Sequence, residues 1–368
     1  MELMKNGLSK PAILRISEAL HKVTPNFNSS EFETLCLNGL EHLELKERVN
    51  HIIQALHQFL PDDFTQTANL LIKIPSVWDF GDPDDSLKSF AAWPIIDYFS
   101  VYGLEQPEIA LYGLKKLTHL FSAEFAIRPF IMKYPEYCHE QFILWVKDDS
   151  ADVRRLVSEG TRPKLPWGIQ LKAFVTNPNV NIPLLDALKA DSSLYVRRSV
   201  ANHLNDIAKD HPQLVIDTCR VWSTLASKDI DWVIKHATRT LVKAGCSDVF
   251  PLLGYTENPQ LNIEAFELSN KEIQLGQSIQ FNFKINSTSL EKQNIVIDYA
   301  IHFMKANNQQ HAKVFKFKNV KLRSNESLQL NKSFSFKKIS TRKYYTGEHK
   351  IEILVNGKVV SDNKFTVT

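Results

Sequence analysis

The residues best equipped for chemistry lie in one stretch, Asp148 to Trp167, reading Asp-Asp-Ser-Ala-Asp-Val-Arg-Arg-Leu-Val-Ser-Glu-Gly-Thr-Arg-Pro-Lys-Leu-Pro-Trp. Val153, Leu156 and Val157 recur at helical spacing behind an acidic, hydroxyl-rich start, and Gly160 supplies a stop, which predicts a short helix. Glu159 falls in its last turn. A carboxylate there faces the partial negative charge of the terminal carbonyls, which disfavours it by about 0.3–1 kcal/mol and invites a functional explanation. Pro163 and Pro166 then fix φ and hold Trp167 on a stiff loop from which its ring can face a cleft. Carboxylate, basic residues and a rigid aromatic are packed into one turn, the ingredients for stabilising charge at a bound group.

The elements that must position this stretch are helices. Val153-Arg154-Arg155-Leu156-Val157, Val196-Arg197-Arg198-Ser199-Val200 and Val233-Ile234-Lys235-His236-Ala237 recur at spacings of 43 and 37 residues, each after an Asp-containing turn. Periods near 40 residues built from paired helices indicate HEAT-like units, which predicts a curved right-handed solenoid with one concave face. On a helix spanning 194–209, Val196, Val200, Leu204 and Ile207 share the buried stripe, while Arg198, Asn202 and Asp206 line the polar side. A polar ladder of mixed sign reads by default as a solvated face. Against that, Arg154, Arg155, Arg197, Arg198, Lys235 and Arg239 fall at recurrent repeat positions and would stack into a basic track suited to a polyanion.

Upstream, residues 1–25 read as an N-terminal arm ending in a helix marked by Ile13, Ile16, Ala19 and Leu20. Two helices follow between Ser29 and Leu60, the first capped at Ser29 or Ser30 with Glu33 as partner, and another covers 64–74. Residues 75–94, rich in Asp, Pro and Gly, form a long loop anchored by Trp78, Phe80 and Trp93. Ser122 to Ala126 opens a further helix, in which Glu124 has the plain reading of a first-turn carboxylate favoured by the helix dipole.

Past Gly245 alternation replaces helical spacing. The segments 279–285, 295–303, 314–320 and 328–336 alternate as strands, and Asn356-Gly357 marks a hairpin. About seven strands without a cysteine pair suit an immunoglobulin-like sandwich. The predicted organisation is an all-α HEAT-like-repeat solenoid over 1–250, a linker over 251–260 and an all-β sandwich over 261–368. Charge divides the same way. Residues 259–368 carry 17 Lys and Arg against 9 Asp and Glu, and the remainder 27 against 32, leaving about +8 and −5. Lys316 and Lys318 belong to the outward lysines of that basic half.

Composition narrows the class. A 43% hydrophobic content supports a packed core, and apolar runs too short for a membrane span predict a soluble intracellular protein. Cys36, Cys138, Cys219 and Cys246 are scattered singly, and His42, His51 and His57 lack companions at ligand spacing, so no metal site is expected.

The run Ser158 to Trp167, together with Val196-Arg197-Arg198-Ser199-Val200-Ala201-Asn202-His203-Leu204-Asn205-Asp206, closely resembles the AlkC branch of the HEAT-like-repeat DNA glycosylases. The resemblance covers nearly the whole chain and includes the immunoglobulin-like domain that some members carry. It implies a monomeric, cytoplasmic bacterial enzyme working at the nucleoid without metal or cofactor. Its activity would be excision of 3-methylcytosine and 3-methyladenine from duplex DNA, with the lesion exposed by bending and no deep base pocket. The family's catalytic cluster maps onto Glu124, Glu159, Trp167 and Asp206, with Asp206 as water-orienting base, the two glutamates as charge near the sugar and Trp167 packed on the nucleotide. Phosphate contacts are expected from Arg154, Arg155, Arg162, Arg197, Arg198, Lys235, Arg239, Lys316 and Lys318, with the sandwich closing a clamp on the duplex.

Two rivals use the same features differently. A non-catalytic HEAT-repeat scaffold, binding DNA structures or a protein, would share the basic track and need no aligned acids. A metal-dependent nuclease would need a divalent ion. No lysine is placed for a Schiff base, so strand nicking is not expected.

Overall fold

Three- and four-residue spacing of apolar side chains gives way to alternation near residue 260, and the secondary structure follows that change. The computed structural model of the chain describes residues 3–339 and 342–368. By contacts the chain divides into two compact units, Met1–Ile207 and Ala208–Thr368.

The first unit is all helical among its described residues: α1 (Lys10–Val23), α2 (Ser29–Leu37), α3 (Leu45–Phe59), α4 (Phe64–Leu71), α5 (Trp93–Tyr102), α6 (Pro107–Leu117), α7 (Ile127–Lys133), α8 (Pro135–Trp145), α9 (Ala151–Gly160), α10 (Lys172–Thr176), α11 (Ile182–Leu188) and α12 (Leu194–Ile207). The expected N-terminal arm is, from Leu3 on, a short segment leading into α1 and anchored by Leu8, which is fully buried. Asn28, not a serine, caps α2, accepting from Glu31 N at 3.4 Å. The loop after α4 is pinned by Arg15, which lies 5.4 Å over the Trp78 ring and donates to Lys88 O at 2.6 Å. The loop's last aromatic, Trp93, opens α5 and stacks on Phe121 and Phe125 at 5.3 and 5.1 Å. Glu124 lies in the turn before α7, outside that helix's first turn, so the dipole reading does not apply to it.

Helix α9 packs on α8, α11 and α12. On α12 the stripe of Val196, Val200, Leu204 and Ile207 is buried as its spacing predicts. The polar side differs from the expected ladder: Arg198 is exposed, but Asp206 is only 2% exposed. Arg162 covers that end of the helix and supplies the counter-charge that makes burial tolerable.

The second unit begins with α13 (Pro212–Ser223), α14 (Lys228–Ala237), α15 (Arg239–Lys243) and α16 (Val249–Leu252), so these four helices group with the strands and not with α1–α12. Eight strands follow among the described residues: β1 (Leu261–Leu268), β2 (Glu272–Ile273), β3 (Ser278–Ser287), β4 (Gln293–Met304), β5 (Gln310–Leu322), β6 (Ser327–Ser335), β7 (Gly347–Val355) and β8 (Lys358–Val367). They form a three-stranded sheet, β1-β3-β6, and a five-stranded sheet, β2-β8-β7-β4-β5. The core between them comes from alternate inward residues, among them Phe281, Phe283, Ile297, Ile301 and Ile353. Asn356 and Gly357, at φ 45° and 75°, make the two-residue hairpin between β7 and β8. Gly357 also meets Gly245 so closely that a Cβ on it would lie 2.6 Å from the Gly245 backbone. Neither position can carry a side chain.

Candidate active site

The last residue of α9, Gly160, is a glycine because α7 comes too close for a side chain; a Cβ there would lie 2.7 Å from Ile127 Cγ2. The chain then turns through residues 161–168, tied internally by Leu171 N to Pro163 O at 3.2 Å and Gly168 N to Leu165 O at 3.1 Å. Trp167 takes φ +65°, in the left-handed region that a bulky L residue rarely enters, and its side chain is 53% exposed. Its carbonyl accepts a hydrogen bond from Lys46 Nζ of α3. An aromatic held against its backbone preference costs about 1–3 kcal/mol, which the surrounding structure must impose.

Behind Trp167 sits a network of charges. Arg162 Nη1 donates to Glu159 Oε1 at 2.6 Å, while its Nε and Nη2 both reach Asp206 Oδ2 at 2.8 Å. One guanidinium therefore joins the last turn of α9 to the last turn of α12. Ser199 Oγ donates to Glu159 Oε2 at 2.6 Å and lies 2.9 Å from Ser158 Oγ. Arg155 donates to Glu124 Oε2 at 2.7 Å and Ser122 Oγ at 2.6 Å, approaches Glu159 at 3.6 Å, and rests 4.6 Å over the Tyr195 ring. Burial pushes the Glu159 carboxyl up. The charges of Arg155 and Arg162, with hydrogen bonds from Ser199 and Arg162, outweigh it and hold that carboxyl below the usual range. The electrostatic penalty noted for the end of α9 is thus offset by two arginines.

Glu124, Glu159, Arg162 and Trp167 line one cavity of about 250 Å³, with Phe90, Trp93, Phe121 and Phe125 as its aromatic wall. Both Glu159 oxygens already accept hydrogen bonds, whereas nothing among the described residues donates to Glu124 Oε1. Asp206 is not part of the lining; it lies behind Arg162.

Residues 262–368 match the model of a family described as uncharacterised protein YhaZ, C-terminal Ig-like domain. Over 356 residues the chain is 36% identical to the uncharacterized protein YhaZ of Bacillus subtilis (strain 168), covering 96% of each. The chain belongs to the YhaZ family. It also superposes over its full length on all of the Pseudomonas fluorescens alkylpurine DNA glycosylase AlkC bound to DNA containing an abasic site analog, with a TM-score of 0.87 and 33% identity. The architecture is therefore of the AlkC type, a helical-repeat region followed by an immunoglobulin-like domain.

In this YhaZ-family chain the expected basic track differs in the first unit. Arg154 donates to both Asp191 oxygens at 2.6 and 3.0 Å and to the carbonyls of Asp148 and Asp149. Arg197, one repeat later, donates to the carbonyls of Asp191 and Ser192. Each arginine ties down the turn that precedes its own helix, so their recurrence reflects repeat architecture. Arg155 and Arg162 serve the carboxylates, and Arg198 is exposed. In the second unit Lys235 is exposed and Arg239 donates to His236 O. Lys316 and Lys318 are exposed on β5, an edge strand.

Three further residues take part in this network. Ser199 sits inside a quoted motif yet betrays no role until α9 and α12 are packed. His203, fully buried, donates through Nδ1 to Ser158 O at 2.9 Å, and burial pulls its pKa down to about 4, so its ring is neutral. Arg128 had a signal: a lone charge in the apolar run 126–131, where burial demands partners. Among the described residues no group of three or more His, Cys, Asp or Glu is placed to hold a metal ion, and no helix is long and apolar enough to cross a membrane.

Proposed function

We propose that the protein is a monofunctional DNA glycosylase that excises cationic N3-alkylated bases, 3-methylcytosine and 3-methyladenine, from duplex DNA. The observation that carries the reading is the pairing of an unfilled carboxylate oxygen on Glu124 with strained, solvent-facing Trp167 across one small cavity. Similarity to a DNA-bound alkylpurine glycosylase supports it. At about 250 Å³ the cavity is smaller than the ~300–1,000 Å³ usual for a swallowed ligand, which favours contact with the sugar and base edge of an exposed nucleotide.

N3-alkylation gives the base a positive charge, so it leaves as a neutral molecule when the C1′–N bond breaks and needs little acid catalysis. The barrier that remains is charge on an oxocarbenium-like sugar. Glu124 meets that charge with preorganised negative charge, and Glu159 supports it from the back of the cavity. The same Glu124 oxygen accepts the proton of the water that attacks C1′. Asp206 acts through Arg162, holding Glu159 in place. Trp167 packs its ring on the nucleotide, a contact worth about 0.5–2 kcal/mol.

Duplex DNA is held by Arg198 and Lys235 and, on the sandwich, by Lys316 and Lys318. Two further hollows of about 720 and 570 Å³ share Arg342 and Lys343, and Arg342 lies 4.8 Å over the Phe303 ring. Among the described residues their lining carries no acidic side chain, which suits phosphate. The test is release of free methylated base from defined duplexes, one lesion at a time, with and without EDTA. Release unaffected by EDTA supports the glycosylase. Tight DNA binding with no release from any lesion would establish the scaffold instead.

A further inference from the structure

We infer that Arg128 is a positioning residue that clamps the two ends of the 161–168 loop and so keeps Trp167 and the carboxylates in register. The inference rests on the proposed function for its rate measurements only. Arg128 is 0% exposed. Its Nη1 donates to Gly160 O, the last residue of α9, at 2.8 Å, and its Nε donates to Ile169 O at 2.5 Å. Those two carbonyls bracket the loop that carries Arg162, both prolines and Trp167. A single planar guanidinium therefore fixes the distance between the ends. An ammonium group is a point donor and lacks the rigid fork to span both carbonyls in one geometry.

Two observations show why the loop needs such a clamp. Trp167 holds a left-handed backbone conformation that persists only where the surroundings impose it. Its carbonyl is also held from outside by Lys46 of α3. Restraint at both ends and at the strained residue leaves the loop little freedom, and a displacement of about 1 Å at a reacting group can cost a hundredfold in rate.

Arg128 also enters the charge balance. Facing it are Glu124 from the turn before α7, Glu159 from α9, Asp206 from α12 and the like-charged Arg162 of the loop. Arg155, His203 and Tyr195 adjoin the same carboxylates. Burial and Arg162 pull the Arg128 guanidinium down to about 10, which leaves it cationic at neutral pH. Three guanidiniums then face three carboxylates. With Arg128 neutralised, three carboxylates face two cations, and the Glu159 carboxyl, held low by the surrounding guanidiniums, moves upward.

Full-length Arg128→Gln, Arg128→Lys and Lys46→Met are compared with the unmodified protein. The readouts are single-turnover release of methylated base, affinity for duplex carrying an abasic-site analogue, the pH–rate profile, and fluorine NMR of fluorotryptophan-labelled protein in which Trp167→Phe assigns the Trp167 signal. Arg128→Gln is expected to slow single turnover about a hundredfold, with affinity changed less than about threefold, and to move the acid limb upward. Arg128→Lys keeps the charge, so it restores the acid limb but not the rate. Lys46→Met, on the surface, is expected to lower the rate about tenfold. All three should shift the Trp167 resonance. An unmoved resonance in both Arg128→Lys and Lys46→Met overturns the clamp, as does an Arg128→Gln protein with unchanged rate and pH limb. If Arg128→Gln does not fold, the other two variants decide. If the unmodified protein releases no methylated base, the proposed function falls while the fluorine signal still judges the clamp.

Discussion

Glu124 and Asp206 are expected to fail in different ways when their charges are removed. Glu124→Gln keeps the size of the side chain and one oxygen to accept from Arg155, whose guanidinium retains Glu159 as partner at 3.6 Å. The lost ion pair is mostly buried, 14% exposed on each side, but a neutral hydrogen bond replaces the charged one, so stability should fall by only about 1–2 kcal/mol. The rate should fall by about 10²–10³, the loss seen when one preorganised group opposite developing charge is removed. Asp206→Asn keeps one oxygen to accept but removes the negative charge opposite two Arg162 nitrogens at a site only 2% exposed. Breaking a buried pair costs about 3–5 kcal/mol, which for a protein of this size lowers Tm by about 5 °C. The assay is single-turnover release of 3-methylcytosine at saturating protein, with Tm from calorimetry on the same samples. Glu124→Gln releasing base within about threefold of the unmodified protein would rule out Glu124 as the group opposite the developing charge. So would an Asp206→Asn protein of unchanged Tm, since it would place that carboxylate outside any stabilising pair.

Trp167→Gly removes backbone strain of about 1–3 kcal/mol and adds chain entropy of about 0.5–1 kcal/mol on unfolding. Stability should hold or rise, while release falls about tenfold; a loss of Tm would show that the left-handed turn is not strained. The Lys316→Ala/Lys318→Ala protein should lose about 1.8 from the slope of log affinity against log salt if both lysines contact phosphate. An unchanged slope would place DNA elsewhere on the sandwich. His203 is neutral when folded and has a folded pKa near 4, against about 6.5 unfolded. As pH falls below 6.5 the unfolded chain takes up the proton first, so up to about 3 kcal/mol of stability present above pH 6.5 is lost by pH 4. Urea unfolding across that window should show the slope, and His203→Gln should reduce it, leaving the smaller contribution of His349, whose pKa burial also lowers.

Much of the molecule was written locally. Apolar spacing marked α1, α9 and α12, alternation marked β3 to β6, and Asn356-Gly357 marked its hairpin. Each depends on neighbours a few residues away, which the chain presents in order. Glu159 at a helix end and Trp167 behind two prolines were legible for the same reason. The division of labour among charges was not. Arg154 and Arg197 carry the same local signal as Arg155, yet they fasten turns while Arg155 reaches back 31 residues to Glu124. Asp206 shares a helical face with Arg198, but only the packing of the 161–168 loop decides that one is buried and the other exposed. Arg128 becomes intelligible only once Gly160 and Ile169 stand on either side of it. The sequence by itself determined periodicity, turns and the inventory of chemistry-bearing groups. Tertiary structure alone chose which charge meets which, because a buried ion must find its partner wherever packing brings one, however distant in the chain.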